Sequence, residues 1–237
     1  MTRRRWIADE VSSDRAALTG EHAAHLSRTL RARVGQEFEV VCDRQVRHAT
    51  VASVNDDRVE FALGDVIAAS TATPITLLLA VFKFDRMEWA IEKCTELNVT
   101  SIVPVITRRT EKHLALAAGK RVERWRRIAR EASEQARRVA PPKIGDPVKL
   151  SVALETVADL RIVLAESERE VQLSEILRAR PEAQSLALAI GPEGGWTAEE
   201  LQLFETAGWS SASLGATILR AETAAIAALA VAQAEIS

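Results

Sequence analysis

The chain has 237 residues and a formal net charge of −2, with 47% hydrophobic and 27% charged residues. This balance excludes a disordered chain and allows one large domain or two small ones. No apolar run approaches the ~18–20 residues that a membrane helix needs, and no apolar stretch follows the basic start, so neither a membrane span nor a secretory signal is expected.

The first 70 or so residues alternate apolar and polar side chains, as half-buried strands do. Strands are predicted over residues 36–41, 49–54 and 59–63, with a turn at 55–57. A helix is predicted over 22–34, because Leu26, Leu30 and Val34 are four residues apart, and Gly35 suits its C-cap. These elements predict a small β-barrel with one helix. The small, polar segment 67–74 ends in proline and is predicted to be a linker.

After residue 74, strands alternate with helices, which favours a mainly parallel α/β sheet covered on both faces. Residues 75–82 form a continuous apolar run, typical of a strand buried on both sides. Asp85 is predicted to cap a helix over 85–98, and Pro104 favours an edge or end position in strand 101–106. The remaining predicted elements are helix 120–138, strand 161–165, helix 173–180, strand 186–190, helix 198–207, strand 212–214 and helix 221–236.

The sharpest local signal is the glycine-rich loop Ile190–Gly195, which follows a buried strand. Thr197 is predicted to cap the next helix, with Glu200 at the reciprocal capping-box position. Loops at the carboxyl ends of parallel strands are where α/β proteins bind ligands, and glycines let a ligand approach the backbone closely. A ligand site is favoured here, and a tight turn with helix capping is the alternative.

A second strand–loop–helix junction, residues 213–223, carries polar side chains in front of an apolar helix. Arg220, Glu222 and Thr223 cluster at this junction. From these residues alone, a ligand role and a helix cap with an ion pair are equally supported. Residues 221–234 carry no charge except Glu222, so this helix is predicted to be buried or to lie at an interface.

Several other kinds of site lack their motifs. Neither a dinucleotide-binding glycine motif nor a P-loop is present, and no Ser/His/Asp or Cys/His signature supports covalent hydrolysis. His22 and His25 could form half of a metal site, but no further ligands join them, so surface or capping histidines are preferred. Cys94 lies on an apolar helix face and is predicted to be core. Because Cys42 is far from it, a reducing cytoplasm is favoured over a disulfide framework.

Charge is unevenly distributed along the chain. Residues 108–143 contain twelve Lys or Arg against four Asp or Glu, whereas residues 151–210 contain four against eleven. A basic block in a nearly neutral chain favours a polyanionic partner, and a solvated helix face is the alternative.

Four motifs, taken in order, resemble the (uracil-N3)-methyltransferase family of small-subunit ribosomal RNA. They are Lys83–Leu97, Arg124–Gln135, Ile190–Gly195 and Ser213–Ala224. The segment from His25 to Gly35 also resembles the RNA-binding domain of that family. The resemblance extends over nearly the whole chain.

This resemblance implies a PUA-like RNA-binding β-barrel at residues 1–72 and a SPOUT methyltransferase domain at residues 73–237, whose mainly parallel α/β sheet carries a C-terminal trefoil knot. It implies S-adenosyl-L-methionine as cofactor, no metal, no membrane, a homodimer and a cytoplasmic location. The implied partner is 16S ribosomal RNA in the assembled small subunit, and the implied reaction is methylation of N3 of a uridine.

The resemblance also implies site residues. Arg220 is expected to stabilise the uracil anion or orient the base, and Glu222 is a weaker candidate for accepting its proton. The implied cofactor-binding residues are Leu164, Ala165, Glu166, Ile190, Gly191, Pro192, Glu193, Gly194, Gly195, Leu214, Gly215, Ile218, Leu219, Arg220 and Thr223. The residues expected to bind RNA phosphates are Arg31, Arg33, Lys83, Arg86, Arg137 and Arg138.

A few positions depart from the family's pattern, including Phe84 where glycine is frequent and Ala24 where a second histidine is usual. Residues 136–138 and the turn 43–45 also differ. These differences bear on RNA contacts, while the cofactor loops are intact. The alternatives are a SPOUT enzyme acting on transfer RNA or 23S ribosomal RNA, a non-catalytic RNA-binding assembly factor, and a Rossmann-like small-molecule enzyme. The missing glycine motif disfavours the last of these.

Overall fold

The computed structural model describes residues 5–43, 45–69 and 73–236. The chain divides into two compact units, residues 1–71 with 133–141 and residues 72–132 with 142–237. The boundary predicted between residues 72 and 73 stays a prediction, because residues 70–72 lie outside the described ranges. None of the helices in these ranges is both long and apolar enough to cross a membrane.

The first unit is built on a six-stranded sheet in the order β1-β4-β5-β6-β3-β2. Strands β1 and β4 are parallel, and the other neighbours are antiparallel. The strands are β1 (Trp6–Ile7), β2 (Glu10–Val11), β3 (Arg15–Thr19), β4 (Glu37–Cys42), β5 (Gln45–Val54) and β6 (Arg58–Ala69). Helix α1 (Gly20–Ala24) continues into a π-helical turn at His25–Thr29.

This sheet curls because its two edge strands, β1 and β2, are joined by only two residues. The Ala8 N–H donates to Val41 O on one side at 3.0 Å, and the Asp9 N–H donates to Ala17 O on the other at 2.9 Å. Consecutive residues thus hydrogen-bond to opposite halves of the sheet, which brings its edges together. Fully buried Trp6 and Phe61 belong to the apolar cluster enclosed by the curl.

The N-terminal predictions held only in part. The three predicted strands correspond to β4, β5 and β6, although β4 is shifted by one residue and β5 and β6 are longer than predicted. The helix predicted over 22–34 was wrong in both bounds, because it begins at Gly20 and ends at Thr29. Arg31 adopts a positive φ of 53°, which ends helical geometry before the predicted C-cap. The linker predicted over 67–74 was wrong for its first three residues, since β6 runs to Ala69. Its central residues, 70–72, lie outside the described ranges.

The second unit is a parallel sheet in the order β10-β8-β7-β12-β11-β13, with β9 also paired to β8. Its strands are β7 (Ile75–Ala80), β8 (Ser101–Ile106), β9 (Lys143–Ile144), β10 (Val148–Lys149), β11 (Leu160–Leu164), β12 (Leu186–Ile190) and β13 (Ser210–Ala212). Its helices are α2 (Phe84–Glu96), α3 (Lys112–Ala117), α4 (Val122–Gln135), α5 (Leu150–Ala153), α6 (Leu173–Arg178), α7 (Ala198–Thr206) and α8 (Ala221–Ile236), with a 3-10 turn at Ala118–Arg121.

Side chains of this sheet alternate between two apolar cores. Leu77 and Leu79 of β7 belong to the larger core, which includes buried residues of α2, α4, α6 and α8, whereas Leu78 belongs to a smaller core with Phe204 of α7. In β12, Leu188 faces the first core and Ala189 the second. The predicted parallel α/β sheet, covered on both faces, is confirmed.

Details of the second unit differ from prediction. Helix α2 begins one residue before Asp85, and Lys83 occupies the N-cap position without a side-chain cap bond. The helix predicted over 120–138 was wrong at its end, because α4 stops at Gln135 and Arg137 has a φ of 56°. Pro104 lies inside β8, opposite Leu79. On the side of β8 away from β7, β9 pairs with residues 101–102 and β10 pairs with residues 105–106. Pro104 therefore lies in the gap between these two short pairings.

Both cysteines are free, buried thiols. Burial raises the pKa of Cys94 to about 12 and that of Cys42 to about 11. Because only the thiolate reacts and a raised pKa favours the neutral thiol, we expect neither to react with a disulfide reagent in the native protein at pH 8. Two thiols per chain should react in denaturant. Fast labelling of the native protein, followed by mass spectrometry, would contradict this burial.

Candidate active site

Three loops meet at the carboxyl edge of the second sheet, where β12, β11 and β13 lie side by side. They follow Ile190 of β12, Leu164 of β11 and Ala212 of β13. Together they line a cavity of about 270 Å³. Its position agrees with the general rule that α/β sheets bind ligands beyond the carboxyl ends of their strands.

The glycine-rich loop after β12 is folded around one indole ring. The Trp196 Nε1–H donates to Leu164 O at 3.0 Å, which ties this loop to the end of β11. A Cβ added to Gly191 would lie 3.2 Å from the same indole nitrogen. Gly195 has a φ of 69° and donates its N–H to Pro192 O at 2.8 Å, which closes the turn. Gly191 therefore permits the close approach of Trp196, and Gly195 permits the turn.

Helix α7 begins directly after this loop with the predicted capping box, which is confirmed. The Glu200 N–H donates to Thr197 Oγ1 at 3.2 Å, and the Thr197 N–H donates to Glu200 Oε2 at 3.0 Å. Glu200 is only 2% exposed, and its second oxygen accepts the Arg108 N–H at 2.8 Å. One buried carboxylate therefore fixes both the start of α7 and the loop that follows β8.

The loop after β11 is held by the carboxylate of Glu168. Its Oε1 accepts the N–H of Glu170 at 2.8 Å and that of Val171 at 3.0 Å. These bonds favour the charged form, so they lower the pKa of Glu168 below its ordinary value. The carboxylate side chain of Glu166, in the same loop, lies 3.6 Å from the position that a Cβ on Gly195 would take.

The loop after β13 is anchored at its beginning and exposed further along. Ser213 donates its N–H to Val171 O at 2.8 Å, and its own carbonyl accepts the Leu173 N–H at 3.0 Å. The Ser213 Oγ also accepts the Gly215 N–H at 3.2 Å. Ile218, farther along, is 74% exposed at the cavity. The loop is therefore fixed at the sheet and open to solvent where it borders the cavity.

Most of the predicted cofactor residues line the cavity, but four do not. Those that line it are Leu164, Ala165, Glu166, Ile190, Gly191, Pro192, Gly195, Leu214, Gly215, Ile218 and Leu219. Glu193, Gly194, Arg220 and Thr223 are not among its lining residues. The prediction missed Glu168, Arg169, Gln172, Trp196, Ala212, Ser213, Ala216, Thr217, Ala221 and Ala224. Trp196 could have been found from its place next to Gly195, whereas no motif marked Glu168, Arg169 or Gln172.

The two residues at the tip of the glycine-rich loop are held from outside the cavity. Arg86 Nη1 donates to Glu193 Oε1 at 2.9 Å, and Arg109 Nη1 donates to Gly194 O. Lys83 Nζ lies 4.0 Å from the other Glu193 oxygen. Of the residues predicted to bind RNA, Arg86 is therefore engaged in an ion pair with this loop.

The two predicted catalytic residues have contrasting environments. Arg220 is exposed at the end of the loop that lines the cavity. Glu222 is only 5% exposed, and its Oε1 lies 3.8 Å from Arg86 Nε. Its Oε2 is buried without a hydrogen-bond partner among the described residues. Arg86 thus lies close to both Glu222 of α8 and Glu193 of the glycine-rich loop.

The remaining residues predicted to bind RNA belong to the first unit. Arg31 and Arg33 are exposed. Arg137 Nη2 donates to Glu39 Oε2 at 2.7 Å, and Arg5 Nε donates to the same oxygen at 2.7 Å. These two guanidinium groups hold the pKa of Glu39 below its ordinary value. Arg138 is half-buried, and its N–H donates to Ser133 O. Across the described ranges, no group of three or more His, Cys, Asp or Glu side chains could hold a metal ion.

Comparison with known proteins gives one consistent family. Residues 69–233 match the family model described as RNA methyltransferase domain. Ribosomal RNA small subunit methyltransferase E of Bacillus subtilis (strain 168) is 31% identical over 230 residues, which are 90% of this chain and 87% of that protein. The protein of the same name from Synechocystis is 37% identical over 160 residues, 66% of this chain. The match spans about half, 52%, of that relative.

A solved structure is similar over its full length. The crystal structure of a ribosomal RNA small subunit methyltransferase E from Neisseria gonorrhoeae, bound to S-adenosyl methionine, aligns with a TM-score of 0.85 and 28% identity. The alignment covers 98% of this chain and 97% of that one.

The contact between Gly191 and Trp196 predicts a selective stability loss. In Gly191→Ala, the new methyl group would press on an indole that is held by its bond to Leu164 and by its packing on Phe204, with ring centroids 4.8 Å apart. We expect the free energy of unfolding to fall by about 1–3 kcal/mol, as for an overpacked core. Chemical denaturation measures it.

Gly119→Ala is the matched control, because a Cβ at Gly119 meets nothing within 4 Å and this glycine has no positive φ. Its unfolding free energy should change by roughly 0.5 kcal/mol or less. Equal changes in the two variants would show that Trp196 does not confine Gly191.

Proposed function

The chain belongs to the ribosomal RNA small subunit methyltransferase E family, and we propose that it transfers a methyl group from S-adenosylmethionine to N3 of a uridine in 16S ribosomal RNA. The observation that carries this proposal is the cavity formed by the three loops at the carboxyl edge of the parallel sheet. The assembled small subunit is the proposed substrate, and the cytoplasm is the proposed location.

The cavity fits this cofactor in chemical character. Leu164, Ile190, Leu214 and Leu219 supply apolar walls for an adenine ring. The glycines at 191, 195 and 215 leave backbone groups accessible to polar atoms of a ligand. The carboxylates of Glu166 and Glu168 suit the positive charges of a sulfonium and an ammonium group. We therefore assign the predicted cofactor residues that line the cavity to S-adenosylmethionine binding.

In the proposed mechanism, the bound cofactor supplies a methyl group on a positively charged sulfur, which is already a good electrophile. The protein must align uracil N3 with that methyl group and favour loss of the N3 proton, which passes to solvent water, while S-adenosylhomocysteine would leave as the second product. Exposed Arg220, at the end of the loop lining the cavity, is suited to stabilise the negative charge that develops on the uracil. Glu222 is buried beside Arg86, which favours a positioning role over proton transfer.

The fold proposed for the second unit is the trefoil knot of the SPOUT family. Directly after β13, Ser213 forms a bridge with Gln172 and exchanges backbone hydrogen bonds with Val171 and Leu173. The chain then continues into α8. This route beside an earlier loop is compatible with a threaded C-terminal segment. For the first unit, the curled sheet supports a PUA-like barrel.

A homodimer is also part of the proposal. The large apolar side chain of Trp89, on α2, is 47% exposed, and the side chain of Ile218 is exposed to an even greater extent. Covering both with a second copy of the chain would remove apolar area from water.

A methyl-transfer assay tests the proposed function. Small ribosomal subunits that lack the modification are incubated with labelled S-adenosylmethionine and the protein, and nucleosides are then analysed by mass spectrometry. We expect 3-methyluridine as product. Arg220→Ala should lower turnover tenfold or more, in line with the roughly 10²–10³-fold cost of removing one electrostatic donor from an active site.

Arg180→Ala, which removes an exposed arginine paired only with Glu182 among the described residues, is the matched control and should retain activity. Methylation of transfer RNA or 23S ribosomal RNA instead would support the first alternative. Cofactor binding without transfer to any RNA would support a non-catalytic assembly factor. Normal turnover of Arg220→Ala would remove Arg220 from the mechanism.

We propose that exposed arginines of the first unit, Arg31 and Arg33, contact RNA phosphates. Each such contact releases counterions, so its loss reduces the salt dependence of binding. Arg33→Ala should weaken binding and reduce the slope of log affinity against log salt by about 0.7–0.9. Filter binding between low and moderate salt measures this, with Arg180→Ala as control. An unchanged slope would place the phosphate contacts elsewhere.

A further inference from the structure

The cavity contains one cationic side chain among its described lining residues, Arg169, in the loop after β11. Nothing in the sequence motifs marked it. Resting on the proposed function, we propose that Arg169 recognises the carboxylate of the methionine part of S-adenosylmethionine and thereby selects cofactors that carry an amino-acid tail.

The charges of the cavity and of this cofactor are complementary. The cofactor carries two positive groups, the sulfonium and the ammonium, and one negative group, the carboxylate. The cavity offers two carboxylates, Glu166 and Glu168, and the guanidinium of Arg169. A carboxylate entering beside Glu166 and Glu168 without a cation would be repelled. Arg169 is the lining residue that can offset this repulsion.

The side chain of Arg169 is available for a ligand. It is exposed, and no carboxylate in the described part of the chain forms an ion pair with it. Arg86 and Arg109 are committed to the glycine-rich loop, since Arg86 bonds to Glu193 and Arg109 to Gly194 O. Exposed Arg220 lies at the end of the loop after β13 but is not among the residues that line the cavity. A planar guanidinium can also bind a carboxylate through two parallel hydrogen bonds.

The backbone that carries Arg169 is fixed in place. The N–H groups of Glu170 and Val171, which follow it, both donate to Glu168 Oε1. The Ser213 N–H then donates to Val171 O, which attaches the segment to the loop after β13. The backbone at Arg169 is therefore fixed within the loop after β11, which is itself bonded to the loop after β13. Less conformational entropy is then lost when a ligand binds.

A pair of ligands separates this role from general cofactor binding. S-adenosylhomocysteine carries the amino-acid tail, whereas 5′-methylthioadenosine has the same nucleoside and sulfur without carboxylate or ammonium. Isothermal titration of the full chain with each ligand gives two affinities. In Arg169→Ala we expect S-adenosylhomocysteine to bind about tenfold more weakly, as for loss of a charge-assisted hydrogen bond, and 5′-methylthioadenosine to bind within about twofold of wild type.

Two further variants make the result specific. Arg169→Lys keeps the charge but loses the planar fork, so part of the affinity for S-adenosylhomocysteine should return. Arg180→Ala removes the same charge outside the cavity and should change neither affinity. Unfolding curves of all variants check that the fold is retained, as expected for exposed side chains.

The outcomes are distinct. Wild-type protein that binds neither ligand overturns the proposed function, and this inference with it. Wild-type protein that binds S-adenosylhomocysteine while Arg169→Ala binds it equally well overturns the inference alone. An equal loss for both ligands also overturns it, because Arg169 would then support the nucleoside or the cavity as a whole and not the carboxylate.

Discussion

The hydrogen bond from the Trp196 indole to Leu164 O joins two of the three loops on which the candidate site depends. It crosses from the end of β12 to the end of β11, neighbouring strands whose carboxyl ends share one edge of the sheet. Gly191 leaves room for the indole, and the Phe204 ring packs against it edge to face. The third loop is attached to the second through Ser213 and Val171. The cavity is therefore shaped mainly by backbone bonds and by one aromatic ring.

Arg86, Arg109 and Glu200 hold this assembly from outside the cavity, whereas Glu168 holds the loop after β11 from within the cavity lining. Arg86 and Arg109 bind the tip of the glycine-rich loop. One oxygen of Glu200 caps α7, which begins directly after this loop, and the other accepts the Arg108 N–H in the loop after β8. Because these groups are already satisfied, they are poorly suited to a ligand. Arg169 and Arg220 are exposed, and neither side chain forms an ion pair with a residue in the part of the chain that the structure describes. The three loops are thus held by one set of charged residues, and a different set is exposed and able to contact a ligand.

Sequence patterns predicted those structural features that depend on residues close together in the chain. Strand β8, strand β12 and helix α8 were predicted with correct bounds, because continuous apolar runs or clear turn residues define them. The capping box of Thr197 and Glu200 has a fixed three-residue spacing and was also predicted. In contrast, the burial of Glu222 beside Arg86 joins residues 136 positions apart, which no local pattern encodes. The same holds for the short strands β1 and β2, whose bonding partners lie elsewhere in the first sheet.

The position of Pro104 in β8 affects how readily the second sheet could pair with a strand of another molecule during folding. Parallel sheets form slowly, since their strands are distant in sequence, and an unpaired strand edge can meanwhile recruit another molecule. On the outer side of β8, the two-residue strands β9 and β10 pair with different segments, and Pro104, which has no backbone N–H, lies between those segments. At the opposite border of the sheet, β13 has only three residues. Within the described residues, neither border of the second sheet offers a long flat template, which disfavours the addition of a strand from another molecule to this sheet.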